Sequence, residues 1–331
     1  MKKKLFAACA VTGLILSLAG STFAHDEKPA QPGEKIERSL TVDAQATITL
    51  CVASGTLNVR GWDKNEVRVR SVDAAQIELR RIDKPKDPAK PASRVDVMVL
   101  DKTRVVRPRL DCQALASIEM EVPAGATVQV QTRDGDIMIM GVAGAYAGSQ
   151  NGDITIERAT RLVEAGSVGG SILLRDSSGR VFMNSAGGGV EAINIQPATE
   201  DDTFEVGTVS GDIQLDRVSN PKVMAKTVNG TLTMSGPLAK QGYYSFSNVT
   251  GDTVLVMPHD ASFQLKATVS DKNNLVSDFN LKFINERTPP MPPPAPKPTP
   301  YVLRRVTGIC GTGDATISVA SFGGTVHLRK L

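Results

Sequence analysis

Apolar and polar residues alternate along the chain in short runs, and each run follows a glycine. The apolar pairs are Ile137 and Ile139, Ile154 and Ile156, Ile172 and Leu174, Ile213 and Leu215, Leu232 and Met234, and Val254 and Val256. Alternation with a period of two is the pattern of a strand that buries one face. No segment of useful length shows helical periodicity, so the sequence predicts an all-β protein.

The glycines that open these runs recur at a nearly fixed interval. They stand at positions 135, 152, 170, 211, 230 and 251, and one double gap is filled by the run Gly187–Gly189. Earlier and later copies begin at Gly55, Gly313 and Gly324. A fixed period near 20 residues is typical of repeat architectures.

Two folds accommodate short strands joined by glycine turns. One is an antiparallel sandwich or barrel. The other is a β-solenoid, in which strands of successive coils stack in parallel about 4.8 Å apart. Equal spacing and an aliphatic, aromatic-poor core favour the solenoid. We expect residues 36–331 to form one parallel β-solenoid with coils of about 17–22 residues. Loop excursions are expected at 83–93 and at the proline-rich segment 288–300.

The N-terminus is typical of a secretory signal peptide. Lys2, Lys3 and Lys4 precede the apolar run Leu5–Gly20, and Ala24 ends a small-residue cleavage pattern. Residues 1–24 are therefore predicted to be removed on export to the periplasm or cell surface, and residues 25–35 to form a flexible leader. No later segment approaches the ~20 apolar residues of a membrane span.

Charge and cysteine content narrow the function classes. The chain has 38 Lys and Arg against 35 Asp and Glu, and three of the lysines belong to the signal. The remainder is balanced, which argues against a nucleic-acid partner. The cysteines outside the signal are Cys51, Cys112 and Cys310. A disulfide between Cys51 and Cys112 is the first choice, because both lie in the N-terminal third, but the sequence does not fix the pairing. No cysteine or histidine cluster suggests a zinc site.

Aspartates follow several of the turn glycines and form the one candidate binding edge. They are Asp136, Asp153, Asp212 and Asp252, with Asp314 at a similar position. A cation could bind such an edge, but the glycine and aspartate spacing of calcium-binding repeats is absent. A purely turn-forming role is the alternative. No cofactor is expected.

Enzymatic chemistry finds little support. Paired carboxylates on one face could cleave glycosidic bonds, but no cluster of Asp, Arg and Lys stands on one set of strands. Trp62, the single tryptophan, is expected to pack in the core. His25 at a new N-terminus could bind copper only with His259 or His327 close by, and nothing indicates that. We expect a protein that is not an enzyme.

Several segments resemble the exported adhesin-like β-strand-repeat family of bacteria, the auto-transporter adhesin head or GIN-type domains. They are Val59–Val67, Val122–Ala126 with the Gly-Asp-Ile repeats, Ser277–Phe279, and the glycine pairs around 308–313 and 323–326. The resemblance spans about residues 36–331. It implies a right-handed parallel β-helix and says little about mechanism.

The expected function is a non-enzymatic, adhesin-like binding or structural role in the bacterial envelope. Its strand faces would contact a glycan or an envelope protein through outward residues such as Met138, Met140, Thr155, Glu157, Gln214 and Thr233. The alternatives are a polysaccharide-active enzyme on the same fold and an envelope-stress regulator that binds a protein. Because the chain ends at Leu331 without a polar tail, an exposed last coil and end-to-end self-association are also expected.

Overall fold

The computed structural model describes residues 35–74, 76–83, 90–100, 112–271, 274–284 and 303–331. The predicted signal, nearly all of the leader and the proline-rich segment lie outside these ranges, as do residues 84–89 of the first excursion. The described ranges contain strands and turns and no α-helix, which confirms the all-β prediction. None of them includes a helix long and apolar enough to cross a membrane.

The strands of the described ranges are β1 (Ile36–Ser54), β2 (Leu57–Trp62), β3 (Glu66–Ser71), β4 (Gln76–Arg81), β5 (Ala92–Leu100), β6 (Ile118–Pro123), β7 (Thr127–Asp134), β8 (Ile137–Met140), β9 (Gly144–Ser149), β10 (Ile154–Glu157), β11 (Leu162–Ser167), β12 (Ile172–Ser178), β13 (Arg180–Ser185), β14 (Val190–Gln196), β15 (Thr203–Ser210), β16 (Ile213–Val218), β17 (Lys222–Asn229), β18 (Leu232–Ser235), β19 (Tyr243–Thr250), β20 (Thr253–Met257), β21 (Phe263–Val269), β22 (Leu275–Ser277), β23 (Lys282–Ile284), β24 (Arg304–Cys310), β25 (Ala315–Ser321) and β26 (Val326–Lys330).

The chain alternates between two parallel sheets, which we call sheet A and sheet B. From β7 to β20, odd-numbered strands lie in sheet B and even-numbered strands in sheet A, and within this range strands two places apart in the chain pair with each other. One coil is therefore a sheet B strand, a corner and a sheet A strand. The predicted β-solenoid is confirmed, while its right-handed sense stays a prediction.

The core is a stack of aliphatic side chains between the two sheets. The first inward row of sheet A runs through Leu57, Ile137, Ile154, Ile172, Val190, Ile213, Leu232, Thr253 and Val326. These side chains are almost fully buried. Burial of one such aliphatic side chain contributes about 1.5–3 kcal/mol. Because nearly every coil buries at least one, these contributions add along the solenoid.

One coil departs from the predicted inward pattern. In β20 the buried residues are Thr253, Leu255 and Met257, while Val254 and Val256 are half-buried on the outer face. The expectation that Val254 and Val256 face inward is wrong. The inward strand residue follows its corner glycine by two positions in every coil, and here that residue is a threonine, 0% exposed. A slip of one residue exchanges the two faces of a strand.

A column of glycines forms the corner that leads from sheet B to sheet A. A Cβ added at Gly152 would lie 2.0 Å from the carbonyl oxygen of Gly135, and one at Gly170 would lie 2.1 Å from that of Gly152. The same contact recurs at Gly135, Gly188, Gly211, Gly230, Gly251 and Gly324. Each coil thus rests its backbone on the backbone below, which only a residue without Cβ permits. The expected copies at Gly55 and Gly324 belong to this column, and within the run Gly187–Gly189 it is Gly188 that does.

Buried hydroxyl and amide groups line the inside of the glycine column. The Gly170 N–H donates to Ser167 Oγ at 2.9 Å, and Ser167 Oγ donates to the Gly152 carbonyl at 3.1 Å. The equivalent residues of the other coils are Ser149, Ser185, Thr208, Thr227, Asn248 and Ser321. Backbone groups that the tight corner would leave unpaired are thereby satisfied, which buried polar groups require.

Both ends of the solenoid are built from coils that lie out of chain order. Strand β1 lies between β5 and β7, and β2 between β6 and β8. Likewise β25 lies between β19 and β21, and β26 between β20 and β22. The expectation that the last strand is an exposed edge is therefore wrong, because β26 is paired on both sides.

Antiparallel strands close both sheets at one end and sheet B at the other, where sheet A ends in the three-residue parallel strand β22. Strand β3 pairs with β6 and β4 with β5 at one end, and β24 pairs with β21 and β23 with β24 at the other. Short antiparallel edge strands do not continue the parallel register, which is how natural sheets limit edge pairing. End-to-end self-association stays a prediction.

A disulfide joins Cys51 in β1 to Cys112, which begins the described range 112–271 and precedes β6. The two Cα atoms are 4.9 Å apart, and the bond closes 61 residues of sequence separation. Cys310 is a free, half-buried cysteine. The disulfide links β1, which lies out of chain order, to the segment that precedes β6. Without it, these parts of the chain would be held together by strand pairing alone.

We expect Gly152→Ala to destabilise the fold by about 1–3 kcal/mol, because its Cβ would meet backbone that cannot rotate away. Gly166→Ala is the matched control, since a Cβ there would come no closer than 3.9 Å to the Asn184 carbonyl oxygen. Urea denaturation of both variants measures the difference. Equal stabilities would contradict the role given to the glycine column.

Replacing Cys51 and Cys112 together by serine should lower the free energy of unfolding by about 2–5 kcal/mol, as for other native disulfides. Cys310→Ser is the control and should change it little, because Ser can keep the hydrogen bond that Cys310 Sγ donates to Ala261 O. Denaturation with and without reductant compares the three proteins. A reductant effect that persists in the double variant would refute the assignment.

Candidate functional site

The exposed face of sheet B arranges side chains in straight rows, because its parallel strands are in exact register. One row, which we call the ring row, runs across β7, β9, β11, β13 and β15. Its members are Gln129, Tyr146, Glu164, Phe182 and Glu205. Tyr146 is half-buried, and Phe182 is 40% exposed. Two aromatic rings thus lie on one line with a carboxylate between them.

Beside the ring row lies a second row in which three of the five residues are glycines. It consists of Gln131, Gly148, Gly166, Asn184 and Gly207, two residues further along the same strands. We call this row the glycine trough. Because the adjacent Gly148 and Gly166 lack side chains, a depression opens in this row between the amide side chains of Gln131 and Asn184.

The glycines of the trough are not required by the fold. A Cβ at Gly148 would lie 3.7 Å from Gln131 Cγ, and one at Gly166 would lie 3.9 Å from the nearest atom, which are ordinary contacts. At Gly207 the only close atom is the side-chain oxygen of Asn184, at 2.6 Å. The corner glycines, by contrast, meet backbone. Glycine in a strand interior weakens a sheet, so these glycines need another reason, and an open groove supplies one.

The ring row and the trough together line a groove of about 430 Å³. It reaches from β7 to β13 and is open to solvent. Its walls carry Tyr146 and Phe182 as apolar platforms and Gln129, Gln131 and Asn184 as amide donors and acceptors. A few convergent polar groups beside aromatic surface are the usual composition of a ligand site.

Glu164 is the one charged residue that lines the groove. It is exposed, and no residue in the described part of the chain forms an ion pair with it. Further along the ring row, Glu205 lies 4.0 Å from the ammonium group of Lys226. The groove therefore presents one free carboxylate among uncharged donors and acceptors.

The four predicted aspartates lie on a different surface, along the glycine corner. Each carboxylate accepts a hydrogen bond from the backbone N–H of the next coil. Asp136 accepts from Asp153, Asp153 from Ser171, Asp212 from Thr231 and Asp252 from Thr325, at 3.0, 2.8, 2.7 and 2.9 Å. This geometry is that of the turn-forming alternative. Ligand binding at this edge stays a prediction.

Asp314 does not belong to that edge. Its carboxylate accepts a hydrogen bond from Thr312 Oγ1, and its backbone carbonyl accepts one from Gln241 N–H. These contacts place it before β25, at the corner that enters sheet B. The late corner residue is Thr325 instead, which follows Gly324.

The described residues do not form a metal-binding cluster. No group of three or more His, Cys, Asp and Glu side chains among them could hold a metal ion. His327 Nε2 lies 3.9 Å from Asp252 Oδ2, and His259 follows β20 in the chain. His25, which the copper site considered above would require, lies outside the described residues.

Trp62 does not pack in the core as expected. It is half-buried at the end of β2, where its indole N–H donates to the Glu66 carbonyl at 2.8 Å. Lys64 and Arg68 cover the ring at 4.9 and 4.7 Å from its centroid. The ring is thus packed against two cationic groups.

The glycine-first strands that dominate the sequence pattern lie in sheet A, whereas the groove lies on sheet B. The outward positions expected in sheet A, among them Met138, Thr155 and Gln214, do face outward. The signal for the groove was the alternation in the preceding strands, where Tyr146 and Gly148, or Glu164 and Gly166, stand between buried alanines and serines.

The fold and this surface define a class of protein, a two-sheet β-solenoid with a ligand-sized groove across one face. A sequence model of the Toastrack DUF4097 family matches residues 33–283. The chain therefore belongs to this family, and the narrower auto-transporter head resemblance is not supported. No curated protein matches the chain.

Several solved structures are similar to the chain at low identity. A "putative cell adhesion protein" from Clostridium sporogenes is 11% identical, covering 90% of this chain and 99% of its own, with a TM-score of 0.21. A "putative adhesin" from Bacteroides fragilis is 13% identical, with coverages of 92% and 99% and a TM-score of 0.35. Another from Parabacteroides merdae is 10% identical, with coverages of 68% and 90% and a TM-score of 0.39. These scores are too low to carry a conclusion about this chain.

Removing the Asp153 carboxylate should test what the corner aspartates do. Asp153→Ala should cost about 1 kcal/mol of stability, because the Ser171 N–H loses its acceptor. Asp153→Asn keeps a side-chain oxygen and should cost less. Thermal melts with and without calcium provide the measurement. If calcium raises the melting temperature of the wild-type protein and not of Asp153→Asn, the edge is a cation site.

Proposed function

We propose that this protein is an exported, non-enzymatic binding protein of the bacterial envelope, adhesin-like in that it holds a surface polymer. The polymer lies in the groove on the outer face of sheet B. The observation that carries the proposal is the pair of trough glycines Gly148 and Gly166, which leave the groove open although the fold would accept a Cβ at either position.

Two features support export. The first is the signal-like pattern of residues 1–24. The second is the disulfide between Cys51 and Cys112, a bond that persists in oxidising compartments and is rare in the cytosol.

Binding without catalysis fits the exposure of the groove. Glycosidic cleavage needs a general acid that keeps its proton near neutral pH, which enzymes achieve by burying the carboxyl group. Glu164 is exposed on an open face, with ring platforms on both neighbouring strands. The strands themselves are paired on both sides and rigid, which suits a preformed binding surface.

Filling the trough should abolish binding and leave the fold intact. We expect Gly166→Phe to prevent retention of the purified protein on isolated peptidoglycan and on cell-surface polysaccharide. Thr233→Phe is the control, because Thr233 faces outward on sheet A. Pull-down of both variants and the wild type, with melting temperatures alongside, provides the measurement.

Equal retention of both phenylalanine variants would contradict the site. Release of soluble sugar during incubation would contradict the non-enzymatic part of the proposal and favour the polysaccharide-active alternative.

A further inference from the structure

The spacing of the groove residues points to the chemistry of the polymer, and this inference rests on the proposed function. Along the ring row, aromatic and polar residues alternate from coil to coil, with Tyr146 and Phe182 on either side of Glu164. The pattern thus repeats every two coils. Adjacent parallel strands are about 4.8 Å apart, so the two rings are about 9.6 Å apart along the solenoid axis.

We propose that the groove binds an extended, uncharged β-1,4-linked glycan that lies along the solenoid axis. In such a chain neighbouring sugars face opposite ways, and every second sugar presents the same face. The length of that disaccharide repeat is close to the separation of Tyr146 and Phe182. Two sugars of one chain can therefore stack on the two rings while the sugar between them lies over Glu164.

The polar residues of the groove fit sugar hydroxyl groups. A pyranose ring has an apolar face, which packs on an aromatic ring, and hydroxyl groups around its edge, which donate and accept hydrogen bonds. Gln131 and Asn184 border the trough with amide donors and acceptors, and Glu164 supplies an acceptor. Each sugar thus meets a platform and at least one polar partner.

The charge of Glu164 disfavours acidic polymers at the centre of the groove. The free carboxylate of Glu164 lies in the groove without a described cationic partner, and a polymer of uronic acids would place like charges beside it. Like-charge contacts select against a partner even where shape permits binding. Neutral and N-acetylated sugars carry no such cost.

A peptide fits this surface less well. Extended peptides bind sheets by adding a strand to a free edge. Strands β9, β11 and β13 are each paired on both sides, so the groove floor offers no backbone hydrogen bonds. Recognition must come from side chains above the sheet, as stacking and hydroxyl contacts do.

The test measures binding of soluble oligosaccharides to the purified protein by calorimetry. The probes are the di- and hexasaccharides of β-1,4-linked N-acetylglucosamine, cellohexaose, a β-1,3-linked glucose hexasaccharide and polygalacturonate. The proteins are the wild type, Tyr146→Ala, Phe182→Ala and the control Tyr243→Ala. Tyr243 is 43% exposed on the same face but does not line the groove.

We expect at least one β-1,4-linked hexasaccharide to bind, its disaccharide to bind much more weakly, and the β-1,3-linked and acidic probes not to bind. Tyr146→Ala and Phe182→Ala should each weaken binding roughly tenfold, which is about 1.4 kcal/mol. Tyr243→Ala should leave it unchanged.

Three outcomes would overturn the inference. These are equal affinity for β-1,3-linked probes, tight binding of the disaccharide alone, or insensitivity to both ring substitutions. If the protein is retained on envelope material through the groove but binds no β-1,4-linked probe, this inference fails and the proposed function stands. If Gly166→Phe also leaves that retention unchanged, both fail.

Discussion

The contact on which the whole structure depends is backbone on backbone at one corner of every coil. The carbonyl oxygen of each corner glycine lies so close to the next corner glycine that a Cβ would not fit. A Cβ added to Gly152 would lie 2.0 Å from the Gly135 carbonyl oxygen. This contact brings successive coils to the spacing of paired strands and holds both sheets in register. The hydroxyl column on the inside and the aspartates on the outside satisfy the corner amides, so that close approach leaves few polar groups unpaired.

Exact register has a consequence for the surface. Residues at equivalent positions form straight rows. When such a position holds small residues in several successive coils the row is a groove, and when it holds large residues the row is a ridge. On sheet B the rows place Tyr146, Glu164 and Phe182 beside a trough of glycines. The same residue type thus has two roles in this chain. At the corner glycine is a steric requirement, and on the face of sheet B it keeps space open for a ligand.

The fold could be predicted from the sequence because each coil repeats one local rule, a glycine followed by an inward residue two positions later. That rule located Gly55 and Gly324 in the column, narrowed one copy to the run Gly187–Gly189 and misplaced Gly313. The spacing holds in β20 as well, but there the inward position is Thr253, and the hydrophobicity of Val254 and Val256 predicts the wrong face. Hydrophobicity alone cannot set register where a buried position is polar.

The order of the end coils and the groove could not be predicted in the same way. Strand β26 lies between β20 and β22, a pairing between segments far apart in sequence that no local pattern encodes. The groove depends on which strands become neighbours and on which residues face outward. Outward residues alternate in every strand, so their spacing does not distinguish the strands of the groove from the others. Only the register brings Tyr146 and Phe182 into one line with the glycine trough beside them.

The most direct test of this account is hydroxyl-radical footprinting of the protein bound to the hexasaccharide of β-1,4-linked N-acetylglucosamine, read by mass spectrometry. The account predicts that oxidation of Tyr146 and Phe182 falls on binding while that of Tyr243, on the same sheet face, does not change. Protection confined to other surfaces, with Tyr146 and Phe182 oxidised as in the free protein, would contradict it.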